Sequence, residues 1–173
     1  MPVHIIIDGY NLIHQSRELN RLHQEDIQSG REALLESLAA YKRIKRHRIT
    51  VVFDGENAPG FSPKKDQIKG IAVRFSRRGE TADSVIKRMA RKEREKALIV
   101  SSDRDVTDYS ATRGAATVSS SEFEEKMMMA FYMDIKGVDG EGDGGWIPTT
   151  KKKGPSKRRS KRERRNRTRI RKL

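Results

Sequence analysis

Three apolar runs in this chain stop at aspartates: VHIIIDGYN at Asp8, ITVVFDGEN at Asp54, and ALIVSSDRD at Asp103 and Asp105. Carboxylates brought together from separate segments repel one another unless a cation neutralises them. The chemistry open to such a set is that of a bound divalent metal: activating water and stabilising charge on a phosphate. A fourth segment, Gly79-Glu80-Thr81-Ala82-Asp83, offers Asp83 as a ligand, with Glu80 one helical turn before it as a further candidate. Mg2+ prefers carboxylate oxygens and keeps several waters, so acids drawn from separate segments suit it; Mn2+ takes the same ligands. Asn11, just beyond Asp8, is placed to orient water or phosphate.

For these acids to meet, the elements before them must run side by side. Residues 3–7, 49–53 and 97–100 are too short and too β-branched for buried helices. They read as strands covered on both faces, as in a parallel sheet. In open α/β sheets the ligand crevice lies beyond the carboxyl ends of the strands, where all three runs place their acids. A further strand is expected at 71–75 and a last one at 116–118. Between them, helices are expected from Thr81 to about Lys92, near 105–112 (closed by Gly114), and from Ser121 onward. Ser29-Gly30-Arg31-Glu32 and Ser121-x-x-Glu124 both fit a capping box. Leu34, Leu35, Leu38 and Ile44 supply the apolar positions after the first of these, and Met127 to Met129 with Met133 are expected to pack the last helix on the sheet. Residues 10–28 are polar and irregular and suggest no element. Strands alternating with helices predict an α/β fold with a doubly wound sheet.

Hydrophobic residues make up 34% of the 173 and charged residues 36%, and the apolar deficit lies mostly at one end. Residues 151–173 hold fourteen Lys/Arg and one acid, Glu163, a net of +13; the whole chain is +14, leaving +1 for residues 1–150. A near-neutral body at 1–136, a glycine-rich linker at 137–150 and a polycationic tail at 151–173 follow from this composition. The tail has too few apolar residues to bury and is expected to be disordered alone. Such a segment contacts nucleic acid through its phosphates, with steep salt dependence and little sequence choice; Trp146 offers a ring for a base or for packing. With no cysteine, disulfides and thiolate metal sites are excluded. No apolar run approaches membrane-spanning length and no secretory leader is visible, so a cytoplasmic protein with no membrane partner is expected.

Each acid also has a purely structural alternative. Asp8 could close a strand through an Asx turn, and Thr81 with its neighbouring acids could simply cap a helix. Asp103 and Asp105 lie two apart, so one of them could be a cap. Asp54 could hold the following loop. Other chemistries lack their residues: no G-x-x-x-x-G-K-[ST] phosphate loop occurs. Tyr10 stands two residues after Asp8, where an aspartyl-nucleophile phosphatase would carry a second aspartate. His4, His14, His23 and His47 show no metal spacing.

IIIDGYNLI, FDGEN, GETAD and IVSSDRD, in this order over roughly residues 3–135, resemble the YacP-type NYN-domain nucleases of the PIN-like superfamily. The resemblance implies a PIN-like, mainly parallel sheet flanked by helices, with residues 1–136 as the nuclease domain. It also implies metal-dependent hydrolysis of RNA by Asp8, Asp83 and Asp103, supported by Asn11 and Asp105. Because the type includes an endoribonuclease acting on messenger RNA at the ribosome, RNA (mRNA or rRNA) and the ribosome are the partners implied. An endoribonuclease using Mg2+ or Mn2+ is therefore expected, with Asp54 as a possible additional ligand. The competing class is a non-catalytic RNA-binding or ribosome-associated factor that keeps the fold.

Overall fold

The computed structural model describes residues 3–57, 65–137 and 160–173. Its central strand β1 (His4–Asp8) lies between β2 (Arg48–Phe53) and a later strand, β5 (Ala97–Val100), and is parallel to both. β4 (Ile71–Phe75) extends the sheet parallel to β2, and β6 (Ala116–Val118) extends it parallel to β5. β3 (Lys65–Ile68) adds the one antiparallel pairing, giving the order β3-β4-β2-β1-β5-β6. The chain builds outward from β1 on one side and then returns to build on the other. The order of strands therefore reverses at β1, and that is where an α/β sheet opens its crevice.

Alternation along β1 divides the core. Ile5 and Ile7 join Val51, Phe53, Leu98 and Val100 under α1 (Gly9–Gln15), α2 (Arg17–Glu25), α3 (Ile27–Lys45) and α6 (Ser120–Lys136). Ile6, Val52 and Ile99 face the other way, under α4 (Ala82–Glu93) and α5 (Arg104–Thr112). Both faces are covered, which is why the strands read as unbroken apolar runs. Glycine is needed after Asp8 and after Asp54 by crowding: a Cβ on Gly9 would sit 2.4 Å from the Phe53 ring, and one on Gly55 would sit 1.9 Å from the Ser76 carbonyl oxygen. Among the described residues no helix is long and apolar enough to cross a membrane.

Most elements fall where the sequence predicts them, with informative departures. Residues 10–28 are not irregular; they form α1 and α2, which bury only Leu12, Ile13 and Leu19 among their apolar side chains, too few to show a period. α3 is capped by Asp26, whose carboxylate accepts from the Ser29 amide and hydroxyl, rather than by Ser29. α6 is capped by Ser119, two residues before Ser121. Of the methionines expected on the sheet, only Met127 is buried, while Met128, Met129 and Met133 point outward. β3 carries no signal in the sequence because it pairs only along an edge.

The tail differs from expectation at its far end. The linker residues 138–150, with Trp146, and tail residues 151–159 lie outside the described residues. From Ser160 on, the chain caps and forms α7 (Lys161–Ile170), with a full capping box between Ser160 and Glu163. Arg165 and Arg169 pair with Glu95, and Arg169 also donates to the Gly114 carbonyl. Leu173 is buried in the core, its carbonyl accepting from the Tyr41 hydroxyl at 2.8 Å, while His47 Nε2 donates to the Lys172 carbonyl. A segment with almost no apolar residues is thus anchored by Leu173, with Ile170 packed against the same core and the polar links of Arg165, Arg169 and Lys172 around them. Replacing Leu173 by Ser should therefore destabilise the whole domain by about 2–4 kcal/mol, the usual cost of emptying a buried leucine site. Urea unfolding should show one transition at a lower midpoint; an unchanged midpoint would mean that Leu173 is not a core residue.

Candidate active site

Asp8 sits at the carboxyl end of β1 and caps α1, one carboxylate oxygen accepting from the Asn11 amide at 3.5 Å. Its other oxygen accepts from the Ser101 hydroxyl at 3.2 Å. The same hydroxyl oxygen accepts from the Asp103 amide at 3.1 Å, so Ser101 ties the end of β1 to the turn after β5. Asp103 in turn caps α5, accepting from the Asp105 amide. Asp83 projects from the first turn of α4, whose cap is Thr81, as expected.

The electrostatics show which acids are neighbours. Burial first, and then the nearby charge of Asp83, push the Asp8 carboxyl up to about 6, with Asp103 adding to the effect. Asp83 is raised as well, by burial and then by Asp103, with Asp105 and Asp54 contributing and Lys87 opposing. Asp8, Asp83 and Asp103, drawn from β1, α4 and the β5–α5 turn, therefore lie within reach of one another's charge. Asp54, at the end of β2, flanks Asp83 and is held by the Ser76 hydroxyl at 3.1 Å. Asp105 lies on the outer rim, largely exposed, in an ion pair with Lys87. Glu80 turns to Arg88 and the Arg77 amide instead of joining the acids.

Asn11 is a positioning residue here. Its side-chain oxygen accepts from the Ser102 amide at 2.8 Å and the Ser120 hydroxyl at 2.7 Å, stapling α1 to the β5–α5 turn and to the start of α6. Ser101, Ser102 and Ser120 escape the sequence reading as site residues; the serines inside the SSDRD motif are the available signal, but serine is common at turns. Lys87 reads from sequence only as a basic helix residue, and its place among Asp83, Asp103 and Asp105 follows from helix docking.

The donor set is chemically suited to a hard divalent cation: hydrogen-bonded carboxylates whose repulsion the cation would relieve. Among the described residues, however, no three His, Cys, Asp or Glu side chains stand close enough to grip one ion together. The fit is to an ion that keeps most of its waters and takes one or two carboxylates directly, as Mg2+ does.

The state of Asp8 gives a test with a definite sign. Its folded value of about 6 lies above the ordinary 3.8, so the native protein binds this proton more tightly than the unfolded chain. This group's contribution is most favourable below about pH 3.8 and is lost as pH rises through 6, a difference on the order of 3 kcal/mol. Asp8→Asn keeps the cap and removes the buried charge, while its NH2 reverses the bond with Ser101 by donating to the hydroxyl that Asp8 accepts from. With EDTA present, the variant should melt several degrees higher than wild type at pH 8, and the gain should shrink toward pH 4. A gain independent of pH, or a loss at pH 8, would contradict a strained ionised Asp8.

Comparison with known proteins shows the family and the fold. The chain matches the family described as YacP-like NYN domain over residues 5–171, from β1 through α7. That is further than the 3–135 span carried by the sequence motifs. A Bacillus subtilis (strain 168) protein named YacP is 30% identical over 86 residues, half of this chain and half of that protein's length. A crystal structure of Rae1 (YacP) from Bacillus subtilis superposes with a TM-score of 0.66 at 25% identity, covering 80% of each chain. A single-substitution mutant of that same protein superposes equally well, with a TM-score of 0.66 at 22% identity, over 78% of this chain and 80% of that one. The fold is thus shared over about four fifths of the chain, and the chain belongs to the nuclease-like YacP-like NYN domain family.

Proposed function

We propose that this chain is a metal-dependent endoribonuclease that hydrolyses RNA phosphodiester bonds. The observation that carries the reading is that Asp8, Asp83 and Asp103, from three separate elements, feel one another's charge at the edge where the strand order reverses. One or two of these carboxylates would hold Mg2+ or Mn2+ directly and the others through its retained waters, with Asp54 and Asp105 at the margin. When bound, the ion would lower the pKa of water and stabilise charge on the phosphate. The chain's own residues do the rest. Ser101 fixes the spacing of Asp8 and Asp103, and Asn11 holds the β5–α5 turn against α6. Lys87 places a cation at the rim, where a phosphate would approach.

The exposed arginines of α7 extend the reading to partners. Arg164, Arg167 and Arg171 form one side of a groove with Lys126 of α6, while Arg165 and Arg169 are committed to Glu95. A rigid basic helix suits the phosphate-dense surface of folded RNA. This favours mRNA cleaved in association with the ribosome, in the cytoplasm. The second reading is a non-catalytic RNA-binding or ribosome-associated factor, and the separation of the acids is the observation in its favour.

Cleavage of labelled mRNA, naked and ribosome-bound, with and without EDTA, decides between them. Asp8→Asn, Asp83→Asn and Asp103→Asn should each lower single-turnover cleavage at least about a hundredfold in a folded protein, since each removes a charge and almost no volume. EDTA should abolish cleavage, and Mg2+ or Mn2+ should restore it. Two variants cleaving near the wild-type rate would remove the metal cage, and no metal-dependent cleavage on either substrate would leave the binding factor.

Affinity can be separated from chemistry without unfolding the domain. Arg164, Arg167 and Arg171 replaced by Gln leave Leu173, Arg165 and Arg169 in place. Ribosome binding should weaken, and the slope of log K against log salt should flatten by about 2, from three lost phosphate contacts at about 0.7–0.9 each. Single-turnover cleavage at saturating substrate should persist. An unchanged slope would show that α7 is not the anchor.

A further inference from the structure

A cleft of about 520 Å3, lined by Arg74, Phe75, Arg77, Arg78, Glu80 and Arg88, opens at the carboxyl edge of the sheet. It adjoins the acids: Phe75 ends β4, and the next residue, Ser76, donates its hydroxyl to Asp54 and accepts from the Gly55 amide. Four guanidinium groups share it with a single carboxylate, Glu80, which is paired with Arg88 and accepts from the Arg77 amide. Among the described residues, Arg74, Arg77 and Arg78 form no ion pair, and Arg77 and Arg78 are exposed. The floor is apolar, from Phe75 and Val85.

We propose that this cleft binds the backbone phosphates of single-stranded RNA next to the bond being cut; the proposal rests on the reading of the chain as an RNA nuclease. Concentrated, unneutralised arginine is a phosphate-binding surface, and the planar guanidinium grips phosphate through two parallel hydrogen bonds. The apolar floor selects single strands, whose riboses and unstacked bases are free to lie against it, whereas a duplex keeps its bases inside. Glu80 is the anion that occupies Arg88 in the free protein. A phosphate entering the cleft takes its place, so Arg88 exchanges one anionic partner for another. Strands held here run from positive cleft to acidic centre, so the phosphates on one side of the scissile bond are neutralised by arginine and the scissile one is left to the acids and their cation.

The test uses the full chain and a short oligouridine carrying 4-thiouridine, in EDTA so that no cleavage is required. Irradiation should crosslink the oligonucleotide to residues 74–88. Arg77→Ala with Arg78→Ala should lose that crosslink and bind at least about fivefold more weakly at about 0.15 M salt, with a salt slope shallower by about 1.4, two single-strand phosphate contacts at about 0.7 each. Glu80→Gln, which removes the cleft's carboxylate and keeps its hydrogen-bonding shape, should bind about threefold more tightly, since a competing anion is gone; weaker binding would count against the cleft. Crosslinks confined to residues 151–173, with the double variant binding like wild type, overturn it. A duplex of the same length that competes equally well overturns the single-strand assignment. A crosslink at 74–88 with no cleavage of either naked or ribosome-bound mRNA when Mg2+ or Mn2+ is added supports the cleft and sinks the nuclease reading. Cleavage without that crosslink sinks the cleft alone.

Discussion

Burying the carboxylate of Asp8 is the constraint around which the rest of this molecule is arranged. A buried, ionised acid is costly, and the cost rises with Asp83 and Asp103 as neighbours. It is tolerated because a hydroxyl and a helix amide point at it: Ser101 from the turn after β5, and the first turn of α1. The amide is local to α1, but Ser101 is in reach only if β1 lies directly beside β5, in the register that aligns Ile7 with Val100. The sheet order is thus coupled to the chemistry. Exchange the neighbours of β1, and Asp8 loses Ser101 while Asp103 moves away.

A second set of polar links holds that edge rigid. The Asn11 side chain reaches both the β5–α5 turn and the start of α6, and the Ser102 hydroxyl accepts from the Ser120 amide. Because α6 packs on α1 and α3, the site is braced against the same helical layer that receives Leu173. Tyr41 joins the two: its ring meets Phe123 of α6 edge-on, and its hydroxyl holds the Leu173 carbonyl. α7 is therefore part of the domain and not an appendage, in keeping with a family match that runs through residue 171.

Charge is sorted over the surface in the same way. The acids lie at the centre of the carboxyl edge, the Arg74–Arg88 cleft on the β4 side, and the α7 arginines beyond β6 on the opposite flank. Lys87 and Asp105 pair at the boundary, so the acidic centre is already partly screened on one side. A polyanion approaching this edge meets positive surface on the β4 flank and repulsion in the middle, which a divalent cation would reverse locally.

The sequence by itself determined the strands that carry the acids, because residues buried on both faces must be apolar throughout and the break to aspartate marks where burial ends. It also determined the caps whose partners are local, such as Thr81 at α4. Helices α1 and α2 and the outward methionines of α6 were decided by tertiary packing, whereas the caps at Asp26 and Ser119 have partners three residues on, as Thr81 does, and competed with Ser29 and Ser121 nearby. A short helix shows its buried face only once something covers it, and a methionine packs or points to solvent according to its neighbour. Which acids meet was partly legible: Asp8, Asp83 and Asp103 could be named from their places at element ends. That Glu80 turns to Arg88, that Asp105 turns to Lys87, and that Ser101 bridges Asp8 and Asp103 depend on how α4 and α5 dock, separations of up to 93 residues that no local pattern encodes. The tail makes the same point most plainly. Its composition forecasts a polycation without structure, yet one leucine finds a pocket in a core built by residues far earlier in the chain, and the described end of the tail is held as a helix.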